Sequence, residues 1–304
     1  MRVFVTGASG HIGSALVPEL LAAGHQVVGL ARSDASAAAL DAAGAEVRRG
    51  DLDDLDGLRE AAAASDGAIH LAFKHEAMFS GDQAAATSAD LAAIKALGAA
   101  LEGSGKPFVG TSGTLMLAFG GITGRPGTEH DVLEGEGRIE AERVAIALAD
   151  RGVRSSVVRL PPTVHSALDL HGFVPSLIGF ARDRGVAGYV GDGANRWPAT
   201  HTLDAARAYR LALESAPAGT RLHAVADEGV PFRAIAEAIG RHLGLPTASV
   251  APEDAAEQFS FLAGFAGLDN PTSSALTRQL LGWTPAHPGL IEDLDQGHYF
   301  EAYS

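Results

Sequence analysis

The chain contains no cysteine, which excludes disulfides and thiolate chemistry. Lysine is scarce: Lys74, Lys95 and Lys106 are the only three, and none lies beyond position 106. Tyrosine is scarce too, with four in 304 residues. Basic residues are outnumbered by acidic ones, 23 to 37, for a formal charge of -14. That balance argues against a nucleic-acid groove or an anionic membrane surface as partner. The apolar runs read as strand-sized, well short of the about twenty residues that cross a bilayer. A strand begins at once, so no secretory signal is expected, and the cytoplasm is the expected location. There is no internal repeat and no linker. The hydrophobic content of 46% suffices for a large core.

What is present is concentrated at the start. Val3-Phe4-Val5-Thr6 runs into Gly7-Ala8-Ser9-Gly10-His11-Ile12-Gly13, a strand entering a T-G-x-x-G-x-x-G turn that opens an apolar helix. Gly7 permits the sharp turn, Gly10 lets backbone approach a pyrophosphate, and Gly13 lets the helix pack close to the strand. The first helical turn then offers free N–H groups and a positive dipole end to phosphates. Gly7, Ser9, Gly10, His11, Ile12 and Gly13 are therefore candidate phosphate-side contacts. For His11 the backbone is expected to matter more than the ring.

Short buried strands at 2–6, 26–30, 45–49, 67–72, 106–111 and 153–160 alternate with alanine-rich helices at 11–23, 34–43, 54–64, 83–102 and 137–150. This alternation predicts an α/β fold: a Rossmann doubly wound parallel sheet that binds its ligand at the carboxyl ends of the strands. The glycine-rich stretch 112–136 reads as a functional or mobile loop at that edge, ordered by ligand. Beyond residue 164 the pattern changes. Helices near 174–184, 202–215, 231–243 and 252–264 mix with strands near 187–190, 220–225 and 247–250. The predicted division is a dinucleotide-binding domain over 1–164 and a smaller mixed α/β substrate lobe over 165–304, with some elements returning to the first body.

The chain resembles the extended short-chain dehydrogenases/reductases, the group of sugar-nucleotide epimerases, dehydratases and hydroxysteroid dehydrogenases. The markers, in order, are the glycine turn, Gly50-Asp51-Leu52, His70-Leu71-Ala72, Thr111-Ser112-Gly113, Arg159-Leu160-Pro161-Pro162 and Leu281-Gly282-Trp283-Thr284-Pro285. The resemblance implies a nicotinamide cofactor. A carboxylate at the end of the second strand would take the ribose hydroxyls of NAD, whereas arginine suits the 2′-phosphate of NADP. Here Ala31 stands at that place and Arg32-Ser33 follow, so NADP(H) is the expected cofactor; Asp34 is the residue that would instead reach a ribose. By the same resemblance Asp51 and Leu52 flank the adenine, Leu71, Ala72, Phe73 and Thr111 lie along the middle of the cofactor, and Pro161, Pro162, Thr163 and Val164 lie beside the carboxamide. A helix cap at Ser33 and turn roles for Asp51 and the prolines are compatible readings.

The chemistry departs from the family. Most members use Tyr-x-x-x-Lys, and none of Tyr189, Tyr209, Tyr299 and Tyr303 has lysine four residues on. Registering Glu142 on the glutamate that follows that motif puts Glu134 in place of the tyrosine and Arg138 in place of the lysine. Arg138 can bond the ribose but holds its proton too tightly to transfer it. The replacement candidates are Ser112 and Thr114, whose hydroxyls can polarise a carbonyl or imine, and His165, since histidine is a residue type that can donate a proton near neutral pH. His75, past the fourth strand, and Trp197, in the glycine-flanked segment 191–198, are candidate substrate contacts; Trp197 as a core anchor is the other reading. No metal site is expected: H-E-x-x-H would need histidine where Phe79 stands, and no histidine pair has zinc spacing. The expected activity is NADPH-dependent reduction of a small apolar carbonyl or imine, with a homodimer as one assembly open to the chain. A non-catalytic NADP(H) sensor and, more weakly, a sugar-nucleotide epimerase or dehydratase are the alternatives.

Overall fold

In this computed structural model residues 1–75, 77 and 81–301 are described. Glu76 and Tyr303 lie outside them. Six strands, β1 (Arg2–Thr6), β2 (Gln26–Ala31), β3 (Glu46–Arg49), β4 (Gly67–His70), β5 (Pro107–Gly113) and β6 (Arg154–Leu160), form a parallel sheet in the order β6-β5-β4-β1-β2-β3. The strand order reverses between β1 and β4, and ligands bind at that crevice in open α/β sheets. The fold is thus the doubly wound α/β class that the alternation predicts.

Side-chain alternation on β1 builds the two faces. Val3 and Val5 face one layer with Leu16, Leu20, Tyr209 and Leu213. Phe4 faces the other with Leu58, Ile94, Leu97 and Phe108. The first layer holds α1 (His11–Ala22), and the second holds α3 (Leu55–Ala63) and α4 (Gln83–Leu101); α2 (Asp34–Ala42) joins β2 to β3. Helix α4 corrects the expectation that every apolar run is strand-sized: its 19 residues are long and apolar enough to cross a membrane by length and composition alone. In the fold Ala93, Ile94, Leu97 and Leu101 are buried in the core.

The loop expected over 112–136 is more structured than its glycines suggest. It contains the short helix α5 (Leu115–Phe119). Its second half is clamped by the C-terminal segment: Gly127 N–H donates to the Pro271 carbonyl and Ser273 N–H to that of Gly127, both at 2.8 Å. Buried Glu129 accepts from both the N–H and the hydroxyl of Thr277, each at 2.8 Å. Those partners lie some 150 residues away, where local pattern is blind.

After α6 (Arg138–Ala147), β7 (Thr163–His165) leaves the main sheet and pairs with β9 (Arg196–His201), which pairs with β11 (Asp227–Pro231). These three short strands were not predicted. Helices α7 (Phe173–Arg184), α8 (Thr202–Ser215) and α9 (Phe232–Leu243) alternate with β8 (Ala187–Val190) and β10 (Thr220–His223). Strand β10 extends the main sheet beside β6 and makes it seven-stranded, while β12 (Thr247–Val250) pairs with β8. The helix expected over 252–264 is broken into short turns, with Ser260 at φ 49, a left-handed backbone that a continuous helix cannot hold. Trp197 is 0% exposed among Phe173 and Phe232. It is the anchor of the lobe's core, and the substrate-contact reading is corrected to that.

Candidate active site

The glycine turn is built so that side chains do not fit. Gly7 has φ +69, and a Cβ there would stand 2.7 Å from the Ala72 nitrogen. A Cβ on Gly13 would stand 2.1 Å from the Gly7 carbonyl oxygen. Gly10 N–H closes the turn onto that oxygen at 3.0 Å. No side chain caps α1 at Gly10, so the helix begins with N–H groups available to an anion. Ser9 and Gly10 are exposed, and Ile12 packs against the core. A pyrophosphate fits this cradle. The His11 ring turns away to the C-terminal half: its Nε2 lies 2.8 Å from the Thr202 hydroxyl and its Nδ1 3.8 Å from Asp169. Burial, with His165 and His201 nearby, pushes the ring down to about 4.

At the adenosine end Ala31 is buried and Arg32 exposed. Ser33 caps α2, accepting from Ser36 N–H at 3.1 Å. Asp34 pairs with Arg49 at 3.0 Å. Asp51 accepts from the N–H groups of Asp53 and Asp54, a turn role, and Leu52 is buried beside it.

At the other end of the crevice a polar chain runs through the protein. The Thr6 hydroxyl meets His70 Nδ1 at 2.7 Å, and His70 Nε2 meets Asp90 at 3.1 Å. Arg138, the first residue of α6, donates to Asp90 and to the Thr111 carbonyl, both at 3.3 Å. Its guanidinium lies 4.4 Å from the centre of the Phe73 ring, and His75 packs edge-on against the same ring at 5.1 Å. Burial, and then the Arg138 charge, hold the His75 ring below its ordinary value. Leu71 and Ala72 lead β4 into this cluster, with Ala72 N–H 3.3 Å from the Thr6 hydroxyl. The structure thus gathers Phe73, His75, Thr111 and Arg138. Glu134 does not join them: it lies on the surface, paired with Arg143.

Ser112, Thr114 and His165 do not converge. The Ser112 hydroxyl is buried and makes no well-formed hydrogen bond among the described residues, but it lies toward the Glu142 carboxylate and helps to hold its charge. Burial alone would raise that carboxyl; Arg159, Arg221 and Ser112 overcome it and hold it low. Thr114 is fully buried and accepts from the Asn270 amide at 3.0 Å. His165 is 0% exposed, with Nδ1 2.9 Å from Asp293 and its ring edge-on to His201. Direct access of His165 to an acceptor is therefore corrected to a buried His–Asp pair. Thr163 likewise spends its hydroxyl on the Pro198 carbonyl at 2.8 Å, between buried Pro161 and the half-buried Pro162 and Val164.

Two of the tyrosines are engaged elsewhere. Tyr209 bonds the Thr111 hydroxyl at 2.9 Å, and Tyr299 takes Ser166 N–H at 3.0 Å; burial raises both phenols. Asp90 and Asn270 escaped the sequence reading. Asp90 left a trace, a lone acid within the apolar run of α4; Asn270, in an irregular segment, left none.

A phosphate cradle at the switch point of a doubly wound parallel sheet defines an NAD(P)-binding Rossmann protein, a class to which oxidoreductases and dehydratases belong. Residues 7–150 match the family model described as NAD(P)H-binding. The chain is 48% identical to "Uncharacterized protein C2A9.02" of Schizosaccharomyces pombe, across 99% of this chain and 100% of that protein. It is 44% identical to "Uncharacterized protein YLL056C" of Saccharomyces cerevisiae, across 97% and 98%. It belongs to one family with these two yeast proteins. Its fold is shared by a dTDP-glucose 4,6-dehydratase from Streptomyces venezuelae solved with NAD, at TM-score 0.78, 21% identity and coverage of 100% and 98%. It is shared equally by a UDP-glucose 4-epimerase from Thermotoga maritima, at TM-score 0.78, 18% identity and coverage of 99% of each chain.

Proposed function

We propose that this chain is an NADPH-dependent reductase that delivers hydride to a small apolar carbonyl or imine. The observation that carries the reading is Arg138, fixed at the sheet edge over Phe73 by Asp90 and the Thr111 carbonyl. The cofactor, when bound in the glycine cradle, supplies the hydride. A guanidinium is a poor proton donor, so on a carbonyl acceptor the role of Arg138 is to orient the oxygen and stabilise the negative charge that develops there. A protonated imine becomes a neutral amine on accepting hydride and needs no acid at that step. A ketone does need one, and general acid help is worth about 10²–10⁴-fold. Imines and activated carbonyls are therefore the preferred acceptors.

An apolar substrate is supported by the chain around the edge. Residues 107–124 carry no charge. Phe119 packs on Phe265 at 5.6 Å and Phe265 on Phe173 at 5.7 Å, an aromatic row from the loop after β5 to the lobe. A sugar nucleotide would need cations for its diphosphate, and Arg196 in the lobe is doubly bonded to Asp269. That leaves the dehydratase and epimerase activities of the fold's solved relatives with less support. One observation favours a non-catalytic NADP(H) sensor: Thr114 and His165 are committed to structural partners. NADPH absorbance, followed across matched cyclic imines, activated carbonyls and simple ketones, separates the two. Turnover led by imines supports the reductase; tight NADPH binding without turnover on any acceptor supports the sensor.

A further inference from the structure

We propose that Arg49 is a second cation for the 2′-phosphate of NADP(H), and that Asp34 competes with that phosphate for it. The inference rests on the NADPH reading above and extends it to residues that the second strand's own sequence does not contain. Strands β2 and β3 run parallel with Ala31 opposite Arg49, so their carboxyl ends lie side by side. The Arg49 side chain does not extend into solvent away from β2. It reaches the first residue of α2, with Nη2 3.0 Å from the Asp34 carboxylate. Its charged head is thereby held at the end of β2, where Arg32 also stands.

The neighbouring charges are otherwise occupied. Arg48 pairs with Glu60 at 2.9 Å, Lys74 with Asp53 at 2.7 Å, and Asp51 accepts from its own turn. With alanine at position 31, no carboxylate is placed to take the ribose hydroxyls from the strand end. A phosphate monoester carries close to two negative charges and three acceptor oxygens, which two guanidinium groups match better than one. The Arg49–Asp34 pair is half exposed on one side and fully exposed on the other. Exposed pairs contribute little, so Arg49 exchanges readily from Asp34 to a bound phosphate. Asp34, left beside that phosphate, then opposes it.

The test is calorimetric titration of NADPH, NADH, 2′,5′-ADP and 5′-AMP against wild type, Arg32→Ala, Arg49→Ala, Arg49→Lys, Asp34→Asn and the Asp34→Asn/Arg49→Ala double variant. Binding is read without turnover, and thermal melting checks that each variant is folded. Arg49→Ala is expected to weaken NADPH and 2′,5′-ADP about 5–20-fold while leaving NADH and 5′-AMP within about twofold. Arg49→Lys should retain part of the affinity. Asp34→Asn should tighten NADPH about two- to fivefold, a gain that disappears in the double variant. A wild type that prefers NADPH and depends on Arg32, but loses NADPH and NADH equally or not at all in Arg49→Ala, overturns this inference and leaves the NADPH reading standing. A wild type that prefers NADH overturns both.

Discussion

The two ends of the crevice are made differently. At the glycine turn the groups on offer are backbone, and three glycines are confined by contacts of 2.1 to 3.2 Å that a Cβ would make. At the acceptor end the groups are side chains, and each is held by a partner distant in sequence: Arg138 by Asp90, Thr114 by Asn270, His165 by Asp293. The first kind of site has few solutions and tolerates little change. The second depends on partners distant in sequence.

The largest effect is expected where the contrast is sharpest. Gly13→Ala places a Cβ against the Gly7 carbonyl at 2.1 Å, with backbone rather than a flexible side chain in the way. Overpacking of this kind costs about 1–3 kcal/mol or more. Both NADPH and NADH affinity should fall at least tenfold, measured by calorimetry, with a lower melting temperature. Native affinity for both cofactors in this variant would break the claim that the cradle is confined.

Arg138→Ala comes next. It removes the cation over Phe73 and leaves Asp90, 2% exposed, with His70 as its remaining side-chain partner. Loss of one preorganised charge donor typically costs about 10²–10³ in turnover. Steady-state kinetics on carbonyl acceptors should show that loss in kcat, with cofactor affinity falling much less. Partial recovery of kcat on adding guanidinium ion would place the effect at the missing head group rather than in a distorted helix. A variant with unchanged kcat would remove Arg138 from the chemistry and strengthen the sensor reading.

Acidification tests the histidine layer between the halves. Burial pushes His11, His201 and His223 each down to about 4. Between their unfolded value near 6.5 and 4 the unfolded chain binds more protons, so stability is present above that window and is lost as pH falls through it. Asp169 acts the other way: burial raises it to about 6, so its penalty is relieved as pH falls below 6. These three histidines, with His75 also held low, outweigh the one carboxyl and give net destabilisation, about 1 kcal/mol for each of the three from pH 7 to 5 after allowing for screening. Melting curves over that range should show a falling midpoint. A flat or rising midpoint would mean that the histidines are charged in the folded protein.

The legibility of the sequence follows the same divide. The glycine turn, the six strands and the helices between them follow from period and composition, because each depends on residues near in sequence. So does the Arg32-Ser33 signal at the end of β2. The three short strands Thr163–His165, Arg196–His201 and Asp227–Pro231 were missed because they pair only with one another across long intervals. The clamp on residues 127–129 comes from Pro271, Ser273 and Thr277, and no local feature of a glycine-rich loop announces it. His165 was legible as a residue of the right type in the right segment; that Asp293 would hold it was not.

The smallest effect is the most discriminating between a hydroxyl used in chemistry and one stranded by the fold. Ser112 lies near the end of β5; it is 3% exposed, its hydroxyl makes no well-formed hydrogen bond among the described residues, and it lies toward Glu142. A buried hydroxyl without a well-formed bond contributes little net hydrogen-bond stability and carries a desolvation cost. Removing it should leave stability within about 0.5 kcal/mol of wild type, or slightly above it. Glu142 retains Arg159 and Arg221 after the substitution, so the ion network should persist. Ser112→Ala is therefore expected to melt like wild type and to reduce carbonyl acceptors at the wild-type rate, in contrast to Arg138→Ala. A fall in kcat of tenfold or more at unchanged melting temperature would show that Ser112 rotates toward the acceptor when the site is loaded, and would return it to the catalytic set.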